Sequence, residues 1–297
     1  MLDYKHLKAL AMVCQEGGFD KAAKLLHLTQ SAVSQRVRQL EDQLGSPLVI
    51  RGNPPQPTAM GRRLLAHYLR VEQMERDLRG QVNLPQTTEF HPLAIGVNED
   101  SLASWFIEAV APLLQAHSFT LQLSVDDQDQ THRLLRDGQV LGCVSTRSEP
   151  LQGCSVVYLG RMDYRCISNP GFAARWFPEG LTAAAVNRAP AVLYNQKDRL
   201  HHGFLEDHLK ISRHDFPLHY IPSTLAFIDA IVTGLGYGLV TAHQADPLLA
   251  NGTVIDLLPG RASQIHLYWH HWDLKSGSIQ ELTKTLVGYA KKTFPQH

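Results

Sequence analysis

Residues 18–45, GFDKAAKLLHLTQSAVSQRVRQLEDQLG, set the reading of everything around them. Asp20 falls in the first turn of a helix, where a carboxylate is favoured by the helix dipole. Ala22-Ala23 lets another helix approach closely, and Leu25 and Leu26 supply core. His27-Leu28 reads as a turn and Thr29 as the N-cap of a second helix. Along that second helix Val33, Val37, Leu40 and Leu44 form one stripe, and Ser31, Ser34, Gln35 and Arg38 form another. At 100° per residue the two stripes are centred about 140° apart. One face is therefore buried, while the other shows short hydroxyls, an amide and a guanidinium. Such side chains reach base edges and phosphates in a major groove. A merely solvated face would carry Glu/Lys pairs, and Ser-x-x-Ser-Gln is a poor choice on helix propensity alone.

The neighbouring segments extend this unit. Upstream, Leu7, Leu10, Ala11 and Cys14 make an amphipathic helix that Gly17-Gly18 stops. Downstream, SPLVIRGNPPQPT reads as a β-wing: an apolar run over residues 48–50, then Arg51 and a Pro-rich turn. Arg51 at the tip is placed to meet phosphate or the minor groove. The expected partner is double-stranded DNA.

AAKLLHLTQSAVSQRVRQLEDQLGSPLVIR resembles the winged helix-turn-helix of the LysR-type transcriptional regulators. The resemblance implies that Gln30, Ser31, Ser34 and Gln35 read bases, and that Thr29, Arg36, Arg38 and Arg51 hold backbone. Thr58 and Gly61 keep the family's T-x-x-G step, whereas NPPQPT replaces its usual wing end.

Thr58 caps a long helix in which Leu64, Val71 and Leu78 repeat every seven residues, with Met60 and Met74 near the complementary position. That seam implies a partner helix, hence a homodimer or homotetramer. A helix packed on its own domain is the alternative. Two recognition helices also suit a two-fold symmetric site. Residues 80–90, with Pro85, read as a hinge.

Charge follows the same division. Residues 1–80 hold 12 Lys/Arg against 8 Asp/Glu, and the remainder 16 against 20, although the whole chain is neutral. A basic head on an acidic body fits a nucleic-acid-binding end joined to another module. The four cysteines (Cys14, Cys143, Cys154, Cys166) show no C-x-x-C spacing, and MLDYKHLK does not read as a signal peptide, so a cytoplasmic protein with reduced thiols is expected. No apolar run approaches the roughly 18 residues of a membrane span. The His201-His202 and His270-His271 doublets read as surface and strand residues rather than metal ligands, and no cofactor is expected. Nothing assembles a nucleophile with a base and an orienting group, which argues against an enzyme.

From residue 91 onward strand-like and helix-like segments alternate, the signature of an α/β domain with a largely parallel sheet. LAIGV, a helix over residues 102–114, FTLQLSV, a helix around Leu134 and VLGCVST make a first unit. YRCIS opens a second, and IHLYWHHW returns as a late strand. The predicted architecture is α/β: a winged helix-turn-helix domain (1–57), a linker and dimerisation helix with its hinge (58–90), and a two-lobed effector domain (91–297). The two halves resemble the paired lobes of periplasmic binding proteins, which LysR-type regulators use as sensors. Gly234-Leu-Gly236-Tyr-Gly238 lies between a helix and a strand, so it reads as a tight turn and not as a nucleotide site.

Ligands in such sheets bind beyond the carboxyl ends of strands, near helix N-termini. That singles out Asn98-Glu99-Asp100-Ser101, Asp126-Asp127, Ser145-Thr146 and Ser223-Thr224. Candidate effector residues are Asp100, Ser101 (expected to cap the next helix), Asp126, Asp127, Ser145, Ser223 and Thr224. Free N–H groups suit a carboxylate and the Asp side chains a cation, which describes a zwitterion with an extra positive charge. Ordinary caps and a solvated 127–129 loop are the alternative reading. IGVNEDSLASWF, SVDD with LLRDGQVLGCVS, and LYWHHW resemble the ArgP subfamily, the lysine- and arginine-responsive regulators of basic amino-acid export. That resemblance implies lysine or arginine as effector and RNA polymerase as a partner. The subfamily is also associated with inhibition of replication initiation, so the alternative functions are a LysR-type regulator of a different effector, or an origin or nucleoid binder that inhibits replication initiation.

Overall fold

The computed structural model describes residues 2–81, 90–125, 128–211, 216–274 and 276–296. The head contains α1 (Tyr4–Gln15), α2 (Phe19–Leu25), α3 (Gln30–Leu44) and a two-stranded wing, β1 (Val49–Ile50) with β2 (Gln56–Pro57). Leu7, Leu10, Val33, Val37, Leu40 and Leu48 are fully or almost fully buried in its core. Leu25 is 55% exposed, contrary to expectation, because it lies about 110° around α2 from the buried Ala22-Ala23 face.

From the head runs α4 (Ala59–Gln81), and two contacts explain the T-x-x-G step at its start. The Thr58 hydroxyl accepts the Gly61 N–H at 3.1 Å and donates to the Pro47 carbonyl at 2.8 Å. A Cβ on Gly61 would stand 2.1 Å from the Leu48 carbonyl oxygen, so only glycine lets the helix pass the wing this closely.

Three faces of α4 have different neighbours. Leu64, Leu65 and Tyr68 join the head core. Arg62, Ala66, Arg70 and Gln73 face the body of the same chain: Arg62 pairs with Asp137 at 3.4 Å, Arg70 lies 5.2 Å from the Trp272 ring, and Gln73 donates to Ser278 at 2.8 Å. Met60, Met74 and Leu78 are exposed, and with Val71 they fall within about 60° of one another. The seven-residue repeat is thus divided. Leu64 is used within the chain, and the rest of the seam stays open. Of the expected hinge, residues 82–89 lie outside the described residues.

The first lobe of the body contains β3 (His91–Val97), α5 (Glu99–Ser101), a π-helical turn Leu102–Phe106, α6 (Ile107–Ala116), β4 (Phe119–Val125), α7 (Gln128–Arg136) and β5 (Gly142–Ser145). A long strand, β6 (Cys154–Ser168), leads to the second lobe, with α8 (Pro170–Trp176), α9 (Ala183–Val186), β7 (Ala191–Leu193), α10 (Leu200–Leu209), β8 (Leu218–Tyr220), α11 (Thr224–Val232), β9 (Tyr237–Thr241), α12 (Ala242–Ala250) and β10 (Ile255–Asp256). The chain then returns through β11 (Ser263–Trp272), and α13 (Gly277–Thr293) packs on α6 of the first lobe.

Strand order is β4-β3-β5-β11-β6-β9-β7-β8, with β10 beside β6. The outer strands of each lobe pair in parallel, as expected, but the centre does not. β11 and β6 run antiparallel to each other and to their outer neighbours β5 and β9. The two lobes therefore share a pair of crossing strands, and Tyr164 is where β6 meets both Ser263 of β11 and Thr241 of β9. Gly234 has φ of +83° in the turn between α11 and β9, as its neighbours implied.

The contact of α4 with the first lobe depends on one glycine. Gly138 has φ of +74°, and a Cβ there would lie 2.2 Å from the Ala66 Cα. Gly138→Ala is expected to destabilise the chain by about 2 kcal/mol or more, from left-handed strain and overpacking together. A lowered urea midpoint checks this.

Candidate functional site

Two sites are built on this frame, one in the head and one between the lobes. In the head, Thr29 caps α3 by accepting the Ala32 N–H at 3.2 Å, so the helix starts at Gln30, where its groove-lining residues begin. Gln30, Ser31, Ser34, Gln35, Arg38 and Arg51 line one groove between α3 and the wing. The Gln30 amide donates to the Ser34 hydroxyl at 3.3 Å, and the Thr29 and Ser31 hydroxyls lie 3.0 Å apart, which orders the face. Arg36 is not among the groove residues; it lies about 150° around α3 from that stripe. Glu41, which the sequence reading passed over, holds the wing in place. Its carboxylate accepts the Leu48 N–H at 2.8 Å and the Val49 N–H at 3.4 Å. The arrangement puts a hydrogen-bonding helix face beside an exposed cation, which suits base edges on one side and phosphate on the other.

Arg51 is exposed and has no described ion-pair partner, so its role should be sequence-independent. Arg51→Ala is expected to weaken binding to every duplex and to lower the slope of log affinity against log salt by about 0.9. Fluorescence anisotropy across a salt series measures both.

Between the lobes is a cleft of about 1400 Å³, larger than an amino acid requires. Asp100 and Thr224, both expected here, line it and meet: the Thr224 hydroxyl donates to Asp100 at 3.3 Å. The buried Tyr164 hydroxyl, on the crossing strand, donates to the other Asp100 oxygen at 2.7 Å. Among the described residues no Lys or Arg pairs with Asp100. Desolvation raises its pKa above the usual 3.8; the two hydroxyl donors oppose that shift, and the charges of Asp198 and Glu99 add to it. Burial, with help from its hydrogen bond to Glu99, pushes Tyr194 up to about 12, so it is a donor at neutral pH.

Other expected residues fall nearby but not in the lining. Ser223 caps α11 through the Ala226 N–H at 3.5 Å. Ser145 is buried and accepts the Arg147 N–H at 3.2 Å, while its neighbour Thr146 lines the cleft. Ser101 does not cap a helix. β3 ends at Val97, Asn98 takes the N-cap position, and Ser101 is a fully buried residue within the first turn. Asp126 and Asp127 lie outside the described residues; Val125 just before them lines the cleft. The sequence reading placed the 98–101 stretch at the site without naming Glu99 as an effector residue, and it missed Tyr164, Tyr194 and Asp198 as cleft residues. His201 is a further correction, because it is 2% exposed and packs on Tyr237 rather than lying at the surface. Among the described residues no group of His, Cys, Asp and Glu is arranged to hold a metal, and no helix is long and apolar enough to cross a membrane.

A winged head with a hydrogen-bonding groove, joined to a two-lobed body around a polar cleft, defines a DNA-binding regulator that answers to a small molecule. Residues 4–62 match the family described as bacterial regulatory helix-turn-helix protein, lysR family, and residues 87–290 match the LysR substrate binding domain. The chain belongs to the LysR family of transcriptional regulators, and it is a regulator rather than an enzyme. It is 40% identical to the HTH-type transcriptional regulator ArgP of Vibrio vulnificus (strain CMCP6), with 99% of each chain covered. It is 42% identical to ArgP of Aeromonas salmonicida, covering 98% of this chain and 97% of that one. Its structure is similar to that of ArgP from Mycobacterium tuberculosis (33% identity, TM-score 0.89, all of both chains covered). It is also similar to full-length LysG from Corynebacterium glutamicum with bound effector Arg (31% identity, TM-score 0.79, 99% and 100% covered).

Proposed function

We propose that this chain is a cytoplasmic, dimeric or tetrameric regulator of amino-acid transport or metabolism genes, with arginine or lysine as its effector. The single observation that carries the effector reading is Asp100, an acid at the meeting point of the lobes with hydroxyl donors but no described cation, beside Glu99 and Asp198. An effector ammonium supplies the missing charge. Because Thr224 touches Asp100 and opens α11, the α-carboxylate of the same molecule fits the N-terminus of α11. The basic side chain then extends towards Asp198. The arginine bound to LysG, a relative at 31% identity, supports this assignment.

The open seam of Met60, Val71, Met74 and Leu78 supports association through α4, and the Arg62, Arg70 and Gln73 contacts give the cleft a mechanical route to the head. Effector binding would thus reset the spacing of two recognition helices and their presentation to RNA polymerase. Footprinting on the chain's own promoter region, with and without arginine or lysine, tests the proposal. A footprint that changes in extent or affinity with either amino acid supports it. Indiscriminate DNA binding with no ligand response would favour a nucleoid binder instead.

A further inference from the structure

The cleft already holds a carboxylate at the N-terminus of α11, and it belongs to the protein. Glu99 reaches from the first lobe to the second, where one oxygen accepts the Thr224 backbone N–H at 3.1 Å and the other accepts the Tyr194 hydroxyl. Thr224 is the first residue of a nine-residue helix, so its N–H has no acceptor within that helix. The Ser223 cap serves Ala226 and leaves Thr224 to Glu99. Next to Glu99, Asn98 is 5% exposed and lines the same cleft, yet its side-chain oxygen accepts no hydrogen bond from any described residue. A buried acceptor without a donor is costly unless a ligand completes it. The anion position is therefore filled from within, and a cation acceptor beside it is not.

We propose that Glu99 is an internal competitor for the carboxylate position: the effector's α-carboxylate displaces it from Thr224 and Tyr194, while Asn98 and Asp100 take the α-ammonium. The inference deepens the amino-acid reading and rests on it. It gives the cleft a selection rule that a simple acidic pocket lacks. A ligand must bring its own carboxylate to release the Glu99 link between the lobes, so a bare amine binds without undoing that link.

Glu99→Gln keeps the shape and hydrogen-bonding oxygen of the side chain and removes its charge, which makes it a weaker occupant of the helix terminus. In the full-length protein, calorimetry is expected to show arginine binding about tenfold tighter in the variant, with agmatine, which is arginine without its carboxylate, changed by less than about twofold. Arginine and agmatine weakened in parallel would overturn the proposal, since Glu99 would then be a receptor for the effector's cation; no change with either would overturn it too. In the ligand-free protein, amide exchange at Thr224 is expected to speed up in Glu99→Gln, and unaltered exchange would remove the cap on which the idea stands. The two readings fail separately. Wild-type protein that binds neither arginine nor lysine would sink the amino-acid effector, while the Thr224 exchange result would still decide whether Glu99 holds the helix terminus.

Discussion

In the Asp100→Asn protein, arginine affinity is expected to fall by about 100-fold, while the unfolding midpoint at neutral pH stays level or rises. The loss corresponds to about 2.7 kcal/mol, the scale of a charge-assisted hydrogen bond withdrawn from a desolvated site. Stability moves the other way because of linkage. The folded pKa of Asp100 is raised above its unfolded value, so folding favours the protonated form. Its contribution to stability is present at low pH and is lost as pH rises through the raised value. Above that raised pKa the ligand-free wild type carries this desolvated charge, and asparagine never does. Tyr164 and Thr224 can hydrogen-bond either side chain, so the packing survives. Wild-type affinity for arginine should also fall on acidification through the raised Asp100 pKa, with the variant showing a flatter profile. Calorimetry across pH and thermal unfolding read these effects. A large drop in midpoint together with lost binding would mean that Asp100 is structural.

The second large effect belongs to the head. Ser34→Ala combined with Gln35→Ala is expected to remove the preference for the cognate site, reducing the ratio of specific to non-specific affinity by roughly 100-fold. Each well-placed base contact is worth about 1–3 kcal/mol. Both side chains lie on the groove side of α3, while the core stripe Val33, Val37 and Leu40 is untouched, so folding should be unaffected. Binding to random duplex and its salt slope should persist, in contrast to Arg51→Ala, which lowers both. Competition between cognate and scrambled duplexes separates the two cases, and unchanged discrimination in the double variant would refute the recognition assignment.

Why these residues could be read from the sequence, and others could not, has a physical basis. The proposed recognition face is local: Ser31, Ser34, Gln35 and Arg38 are neighbours on one helix, so periodicity alone brings them together. Thr29, Thr58 and Ser223 announced themselves as caps because capping acts over three residues. The cleft is not local. Tyr164 donates to Asp100 across 64 positions, and Tyr194 reaches Glu99 across 95. In the sequence both tyrosines look like core aromatics of strands. The crossing of β6 and β11 was equally hidden, since alternation along a strand carries no information about the direction of its partner. Ser101 misled because a serine before an apolar run looks like a cap, whereas the helix had already started at Glu99. The seam of α4 was half legible. Its seven-residue repeat marked an apolar face, but only the fold shows that the head takes Leu64 from it.

The central claim is that the inter-lobe cleft recognises a basic amino acid and thereby controls the head. Its most direct test is calorimetric titration of the full-length protein with L-arginine, L-lysine and L-citrulline, the last matching arginine in shape without its side-chain charge. The account predicts saturable binding of arginine or lysine, with citrulline weaker by at least about tenfold, since its side chain offers no charge to the acidic cleft. Heat from citrulline equal to that from arginine, or none from either basic amino acid, would contradict it.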